Sequence, residues 1–300
     1  ILALSFAARL PGLDRDLWYD EALSLYSARG VDAVPNIIPN GPELTNDIFT
    51  RDGGYRELLR AISHIERTPP LYFLLLRIWI KLFGESDQVL RLLSVTFALA
   101  TILAIFFLGQ GVFNQTIGLA AAGMLAILPS HIQYSQEVRA YTLAVLLVTL
   151  ASWAYWNAYQ TIGRREERWY WLLYCGLAVA SLYTHYFTAG VLIAHGFFAL
   201  IQPSSLRLAL VKRLSLVAAA TLLLLTPWYL SSYFNNQLQV AKLYSGTSGL
   251  GGQDVVEHLP ALICYFFAGY LPGVRFRSAF GLVILGLCMM SALILIPIAR

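Results

Sequence analysis

Charged residues are scarce in this sequence. Its 300 residues include 21 Lys and Arg and 17 Asp and Glu, so the charged fraction is 13%, whereas hydrophobic residues make up 58%. Soluble domains carry about 25% charged residues. The deficit excludes an ordinary soluble domain and predicts a chain that crosses a membrane several times. The net charge of +4 adds little, because the positions of basic residues, rather than their sum, orient such a protein.

Cysteine and recognisable ligand motifs are scarce as well. Cys175, Cys264 and Cys288 lie far apart in apolar segments, and no CxxC pair occurs. We interpret them as small buried hydrophobic residues, against a disulfide framework or a thiolate metal site. The five histidines show no HxH or HxxH spacing, so a dedicated metal or haem site has little support. The sequence also lacks a P-loop and a GxGxxG motif after a strand, which disfavours nucleotide binding.

Long apolar runs are what the sequence has instead. A helix that spans a bilayer needs about 20 apolar residues. Spans are predicted at 89–109, 117–133, 141–159, 169–183, 187–201, 214–230 and 280–298, with a further apolar segment at 254–270. The first ten residues are apolar but too few to span. We expect them to be the end of another span and the chain to be truncated there.

One sizeable polar region, residues 11–68, precedes these spans and holds ten of the seventeen acidic residues. A helix is predicted over 20–29, with Asp20 as N-cap and Gly30 as its stop. Residues 55–65 have the pattern of an amphipathic helix that lies on a membrane surface. The next apolar segment, 69–83, is short for a span and contains Arg77 and Lys81, so we interpret it as an interfacial helix.

Basic residues predict the orientation. The loops 161–168 and 202–213 each carry three Arg or Lys residues and are therefore expected in the cytoplasm. The loop around His185 lies between them along the chain, so it faces the opposite, external side. Residues 134–141, one span before the first basic loop, face that side too. If 69–83 is interfacial, the polar region 11–68 is also external, and 254–270 is by the same logic a second surface helix.

The segment Tyr134-Ser135-Gln136-Glu137-Val138-Arg139-Ala140-Tyr141 places a charged cluster at a membrane edge. Such a cluster is costly near hydrocarbon and usually has a function. Glu137 and Arg139 are two positions apart and face different ways on a helix. Arg139 is therefore able to bind an anion, since its guanidinium matches phosphate oxygens. The alternative is an arginine that extends to lipid headgroups.

Other polar candidates keep simpler alternatives open. Asp20 and Glu21 are adjacent, so at most one of them points into a cleft, and an N-cap role for Asp20 is as well supported as a catalytic one. Glu66 and Arg67 are locally best interpreted as a surface ion pair or a lipid contact. His185, like His131, is more often a hydrogen-bonded structural residue than a catalyst.

Four motifs, in order, resemble a known family. They are Trp18-Tyr19-Asp20-Glu21-Ala22, Thr68-Pro69-Pro70-Leu71-Tyr72, the segment 134–141, and Thr184-His185-Tyr186. This set resembles the C-type (GT-C fold) membrane glycosyltransferases, above all the bacterial relatives of protein O-mannosyltransferase and of lipid A aminoarabinose transferase. The resemblance implies an all-α, polytopic transmembrane bundle with a long first external loop that carries interfacial helices. Residues 1–300 would form one such domain, truncated at both ends, with the loop at 11–88 and the bundle at 89–300.

The resemblance implies an inverting glycosyltransferase. It would move a monosaccharide, a hexose or pentose, from a polyprenyl-phosphate donor to a hydroxyl acceptor on the external or periplasmic face of the inner membrane. Its partners would be the lipid-linked donor, membrane lipids and an acceptor that is a protein, a lipid or a glycan, with no nucleic acid. No cofactor is required; a divalent metal is possible, but the sequence names no metal ligands.

The same resemblance implies roles for individual residues. Asp20, the first residue of the Asp-Glu pair, corresponds to the general base, with Glu21 beside it. Arg67 and Arg139 correspond to the groups that bind the polyprenyl phosphate. The remaining candidates for the substrate site are Glu66, Tyr134, Gln136, Glu137, Tyr141 and His185.

Two other functions stay open. A transporter or flippase for a lipid-linked saccharide often has inverted repeats and charges near the middle of the membrane. Here the charges lie at the membrane edge and the sequence shows no internal repeat. A non-catalytic membrane scaffold, with the cluster as a headgroup contact, is the third possibility, and the acidic external region argues against it.

Labelling of a single cysteine tests the predicted orientation. In a chain whose native cysteines are replaced by alanine, Asp47→Cys should react with a membrane-impermeant thiol reagent added from the external side. A cysteine at Arg165, in a basic loop, is the matched control and should react only after the membrane is opened. Labelling of residue 47 from the cytoplasmic side alone would contradict the predicted orientation.

Overall fold

The computed structural model describes residues 1–31, 52–66 and 68–244, with side chains up to residue 231 except at residues 64 and 65. Within these ranges the secondary structure is helical throughout, without strands. The helices are α1 (Leu2–Ala7), α2 (Tyr19–Arg29), α3 (Tyr55–Ala61), α4 (Leu71–Phe83), α5 (Asp87–Val112), α6 (Gln115–Ile127), α7 (Pro129–Ser135), α8 (Tyr141–Gln160), α9 (Glu167–Leu182), α10 (Ala189–Leu200) and α11 (Ser204–Tyr244). The predicted segments at 254–270 and 280–298, and Arg67, lie outside the described residues.

Helix α2 starts one residue earlier than predicted. Its N-cap is Trp18 rather than Asp20, because the Glu21 carboxylate folds back and accepts the Trp18 backbone N–H at 3.2 Å. A glutamate at the third helical position commonly satisfies the cap residue in this way. The stop at Gly30 is confirmed: its φ of 72° is left-handed, which suits glycine. Asp20 therefore lies inside the first turn and does not cap the helix.

The predicted amphipathic helix over 55–65 has two parts. Helix α3 ends at Ala61, and a π-helical turn, Ile62–Glu66, follows it. Leu58, Ala61 and Ile62 are fully buried, and Leu58 and Ile62 pack in the core with α2 and α4. A π turn inserts an extra residue into the helix, and such turns are frequent at functional sites. The extra residue shifts Glu66 away from the exposed position that a regular helix would give it.

The interfacial helix predicted at 69–83 corresponds to α4. Its inner face, with Tyr72, Phe73 and Leu76, is buried, whereas Leu82 and Phe83 are exposed. The charge of Arg77 had suggested a position at the surface, but the residue is buried. Its guanidinium is buried, donates to the carbonyls of Ala28 and Gly53, and pairs with Asp52. The location of α4 at a membrane surface stays a prediction.

The bundle is built around α5, which packs against α6 and α8, and α8 packs in turn against α9. In the part of the chain that the structure describes, α5 and the segment Ser204–Ser231 are long and apolar enough to cross a membrane, and a bent pair of helices would make a third. Among the residues that the structure describes, the predicted spans 141–159, 169–183 and 187–201 are also largely helical, but each helix is shorter or less apolar than these. The long apolar helices are those of an integral membrane protein.

The segment predicted as a span at 117–133 is not one straight helix. Helix α6 ends at Ile127 and α7 begins at Pro129, with a bend of 62° between them. Leu128 adopts an extended backbone with ψ of 118°, because proline disfavours the helical conformation of the residue before it. The bend places α7 and the following residues 136–140 across the end of α5.

A hydrophobic cluster joins the N-terminal polar region to the bundle. Its buried members come from α2, α3 and the π turn after it, α4, α5, α8, α11 and the connection after α7, and include Ala28, Leu58, Tyr72, Leu76, Leu90, Val138, Leu143 and Trp228. Hydrogen bonds of Glu21 with Arg91 and with the Val138 N–H hold the first turn of α2 and the residues 136–140 against the same end of α5. The division between an external loop at 11–88 and a bundle from 89 stays a prediction.

Close contact between α5 and α6 depends on glycine. A Cβ on Gly118 would lie 2.6 Å from the carbonyl oxygen of Phe106 and 2.9 Å from the backbone nitrogen of Gln110. We expect Gly118→Ala to force the helices apart and to lower the free energy of unfolding by about 1–3 kcal/mol. The measurement is the melting temperature in detergent.

Gly123→Ala, in the same helix, is the matched control. A Cβ there would meet no heavy atom within 4 Å, and alanine is favoured over glycine in a helix by about 1 kcal/mol. Its melting temperature should stay level or rise. Equal melting temperatures for Gly118→Ala and the unmodified chain would show that the glycine contact is dispensable.

Candidate active site

Asp20 and Glu21 lie side by side in the first turn of α2, and the two carboxylates have different surroundings. Glu21 is 1% exposed and accepts from Arg91 Nη2 at 2.7 Å and from Arg91 Nε at 3.1 Å. The Asp20 carboxylate is half-buried, and no described residue forms a hydrogen bond or an ion pair with it. Glu21 is thus bound within the fold, whereas Asp20 is in contact with solvent; which of the two faces a substrate stays a prediction.

Arg139 pairs with Glu66 rather than with Glu137. Its Nη1 donates to both Glu66 carboxylate oxygens, at 2.9 and 3.1 Å. The Arg139 side chain is only 16% exposed and the Glu66 side chain only 4%. The same nitrogen donates to Ser24 Oγ at 3.1 Å and to the Asp20 carbonyl at 3.2 Å. The guanidinium therefore rests against the helix turn that carries Asp20. The interpretation of Glu66 as a surface ion pair or lipid contact is wrong, because the π turn buries it.

Electrostatics within this group are dominated by burial. Burial raises the pKa of Glu66, and the neighbouring Arg139 opposes that rise. Asp20 adds a further repulsion that raises the Glu66 pKa, which shows that the two carboxylates are close enough to interact. The arrangement holds one buried ion pair beside one carboxylate without a partner among the described residues. A carboxylate in such a place can accept a proton from a bound hydroxyl.

Glu137 and Gln136 lie in the connection 136–140 and have different neighbours. Glu137 is half-buried, and burial raises its pKa, although a hydrogen bond from Gln133 opposes this. The Gln136 amide turns towards the N-terminal segment, where Nε2 donates to the carbonyls of Arg9 and Pro11. Gln136 thus ties the connection to residues 9–11, and its amide nitrogen is already occupied there.

Aromatic side chains line the group next to Arg139. Tyr134 and Tyr141 meet edge to face at 5.1 Å, Tyr141 lies 6.0 Å from the His185 ring, and the Arg139 Cζ is 5.9 Å from the Tyr141 ring. His185 Nδ1 accepts the backbone N–H of Phe187 at 3.3 Å. Burial, with a smaller effect of Arg139, lowers the pKa of His185 to about 4. The lowered pKa favours the neutral ring at neutral pH.

Three functional-site neighbours were missed from the sequence: Ser24, Arg91 and Ser94. Ser24 is fully buried and bridges Asp20 and Glu66. Arg91 had a readable signal, because it lies inside an apolar span, where a charged residue usually has a function. Ser24 and Ser94 had none, since buried serines are ordinary in helices. In the described ranges, no group of three or more His, Cys, Asp or Glu side chains could hold a metal ion.

Comparison with known proteins gives one match. The family model described as dolichyl-phosphate-mannose-protein mannosyltransferase matches residues 67–230, which is more than half of the 300 residues. The matched range includes Arg91, Arg139 and His185 and begins after Asp20 and Glu66. No curated protein and no solved structure matches the chain.

Proposed function

Because the chain belongs to the dolichyl-phosphate-mannose-protein mannosyltransferase family, and is thus a glycosyltransferase of the mannosyltransferase kind, we propose a specific reaction. The protein transfers a monosaccharide from a polyprenyl-phosphate donor to a hydroxyl acceptor. The transfer takes place on the external or periplasmic face of the inner membrane, opposite the basic loops 161–168 and 202–213. The acceptor is a protein, a lipid or a glycan.

One observation carries the proposal: the Asp20 carboxylate, which has no partner among the described residues, lies beside the Arg139–Glu66 ion pair, and Arg139 donates to the Asp20 carbonyl at 3.2 Å. The acceptor oxygen attacks the anomeric carbon and forms the new glycosidic bond. Its proton passes to the Asp20 carboxylate. The bond between the anomeric carbon and the phosphate oxygen breaks, and its electron pair leaves with the phosphate. A single displacement of this kind inverts the anomeric configuration.

Arg139 is the proposed partner of the departing phosphate. A guanidinium has five N–H donors, and the hydrogen bonds to Glu66, Ser24 and Asp20 all leave from Nη1. A phosphate oxygen can share this guanidinium with Glu66 or replace Glu66 on it. Fixed positive charge at the leaving group stabilises the transition state, because negative charge grows on the phosphate as the bond breaks. Tyr134, Tyr141 and His185 form an aromatic wall suited to a sugar ring.

A flippase or transporter of a lipid-linked saccharide is the second candidate, and the break between α6 and α7 favours it, since broken helices are common in transporters. The charged groups argue against it, because they do not lie in the middle of an apolar helix. Asp20 lies in the first turn of α2, Glu66 in the π turn after α3, and Arg139 in the connection 136–140. The two functions differ in their products. A transferase releases free polyprenyl phosphate, whereas a transporter leaves the lipid-linked sugar intact.

Removal of the proposed base should stop transfer and spare donor binding. We expect Asp20→Asn to lower kcat by about 10²–10⁴-fold, the usual contribution of general base catalysis. The donor Kd and the melting temperature should be close to those of the unmodified chain, because Asp20 has no partner to lose among the described residues. The measurements are single-turnover transfer and polyprenyl phosphate binding in detergent.

Asp16→Asn is the matched control, because Asp16 is exposed in the same acidic segment and only its backbone carbonyl binds Arg91. It should retain full transfer activity. Full activity in Asp20→Asn would remove Asp20 as the base.

Removal of the cation should weaken donor binding. Since Arg139→Ala alone would leave Glu66 buried without a counter-charge, the variant to use is Arg139→Gln combined with Glu66→Gln. We expect its Kd for polyprenyl phosphate to rise about 10–100-fold, because a hydrogen bond to a charged group contributes about 1.5–3 kcal/mol. Glu66→Gln alone keeps the cation and is the matched control, and it should bind polyprenyl phosphate at least as tightly as the unmodified chain. An unchanged Kd in the double variant would return Arg139 to a purely structural role.

A further inference from the structure

We propose that Glu21 and Arg91 form a positioning pair that sets the distance between Asp20 and Arg139. This inference rests on the proposed roles of those two residues and concerns a different pair of side chains. Glu21 and Arg91 act without touching substrate, through the backbone that carries the reacting groups.

Arg91 is fully committed to the protein. It is 1% exposed, and all three of its guanidinium nitrogens donate within the fold. Nη1 donates to the carbonyls of Leu13 and Arg15, Nη2 to the Asp16 carbonyl and to Glu21, and Nε to Glu21. An arginine with these partners leaves no nitrogen for a lipid phosphate. It differs in this respect from Arg139, whose hydrogen bonds to Glu66, Ser24 and Asp20 leave from one nitrogen.

Glu21 links three parts of the chain with one carboxylate. It accepts the Trp18 N–H at the start of α2, the Arg91 guanidinium on α5, and the Val138 N–H in the connection 136–140. The bond to Val138 is 2.9 Å long, and the Val138 side chain is fully buried. A carboxylate bound to a charged donor and to backbone N–H groups is held firmly.

The sequence positions of these contacts make the pair specific to the site. Glu21 follows Asp20 directly, and Val138 directly precedes Arg139. One carboxylate therefore fixes the backbone next to the proposed base and next to the proposed phosphate ligand. Ser94, one turn after Arg91 on α5, donates from Oγ to the Glu137 carbonyl at 2.6 Å. The Glu137 carbonyl and the Val138 N–H belong to one peptide group, which is thus held by Ser94 on α5 and by Glu21 on α2.

Geometry of this kind should affect the chemical step more than binding. In-line displacement needs the acceptor oxygen, the anomeric carbon and the leaving oxygen in line, and a misplacement of about 1 Å can lower the rate about 10²-fold. Arg139 keeps its own contacts with Glu66 and Ser24 when Glu21 changes. Loss of the pair is therefore expected to lower kcat and to leave the donor Kd largely unchanged.

The experiment compares three variants with a control. Glu21→Gln removes the charge at constant shape. Glu21→Leu with Arg91→Met replaces the buried pair by hydrophobic side chains, a change that is often neutral for stability. Ser94→Ala removes only the bond to the Glu137 carbonyl. The control is Glu167→Gln, because Glu167 is a buried carboxylate that likewise pairs with an arginine, Arg213, and accepts N–H groups from Gly163 and Trp171.

We expect Glu21→Gln and the double variant to lose about 30–100-fold in kcat, with a Kd for polyprenyl phosphate within about threefold of the unmodified chain. Ser94→Ala should lose about 3–10-fold in kcat at an unchanged melting temperature, a change on the scale of one hydrogen bond. Glu167→Gln should keep its kcat. A merely structural pair would give a different result, since a double variant that recovers its stability would recover its activity too.

Three outcomes overturn the inference: an active double variant, an unchanged kcat in Ser94→Ala, or full activity in Glu21→Gln. The Ser94→Ala result decides the matter if the double variant does not fold. Failure of the proposed function gives a different result: Asp20→Asn then keeps its transfer activity, whatever the activity of the Glu21 variants. Loss of activity in Asp20→Asn together with full activity in Glu21→Gln would reject the positioning pair alone.

Discussion

The buried ion pair between Glu21 and Arg91 is the contact on which the organisation of this site depends. Removal of each ion from water costs several kcal/mol, so the pair is tolerable only where every donor and acceptor has a partner. That requirement brings residues 13–16, the start of α2 and the connection 136–140 to one end of α5. The site is thus assembled around two charges that do not themselves face a ligand.

The other buried arginines are also bonded within the fold, although Arg9 Nε and Arg77 Nε have no hydrogen-bond partner among the described residues. Arg9 donates to the Ala126 carbonyl, at the end of the helix that Pro129 interrupts, and contacts His131 Nδ1. Arg77 binds two carbonyls and Asp52, and Arg139 binds Glu66. Against this background of paired charges, a half-buried Asp20 without a partner among the described residues stands out. Its exposure to a ligand, rather than its residue type, marks it as the proposed base.

Much of the local structure was predictable because it follows from local rules. The stop at Gly30 and the helices of the bundle follow from turn chemistry and hydrophobic runs. The break at Leu128 was equally readable from Pro129, and the functional signal of Arg91 from its place in an apolar span. The pair of Glu66 with Arg139 was not predictable from the sequence, since 73 residues separate them and no periodic pattern links them. The π turn that buries Glu66 also had no signal in the sequence.

The sequence by itself determined that this protein is a helical membrane protein with the motifs of a glycosyltransferase, because composition and short motifs are properties of the chain alone. It placed Asp20 and Glu21 together, and the resemblance assigned the base to Asp20, but the chemistry of two adjacent carboxylates is nearly the same. Only the tertiary structure shows that their surroundings differ. Arg91, 70 residues from Glu21, pairs with the Glu21 carboxylate, and the neighbouring Asp20 carboxylate is the proposed base; contacts over such a distance along the chain form only when it folds.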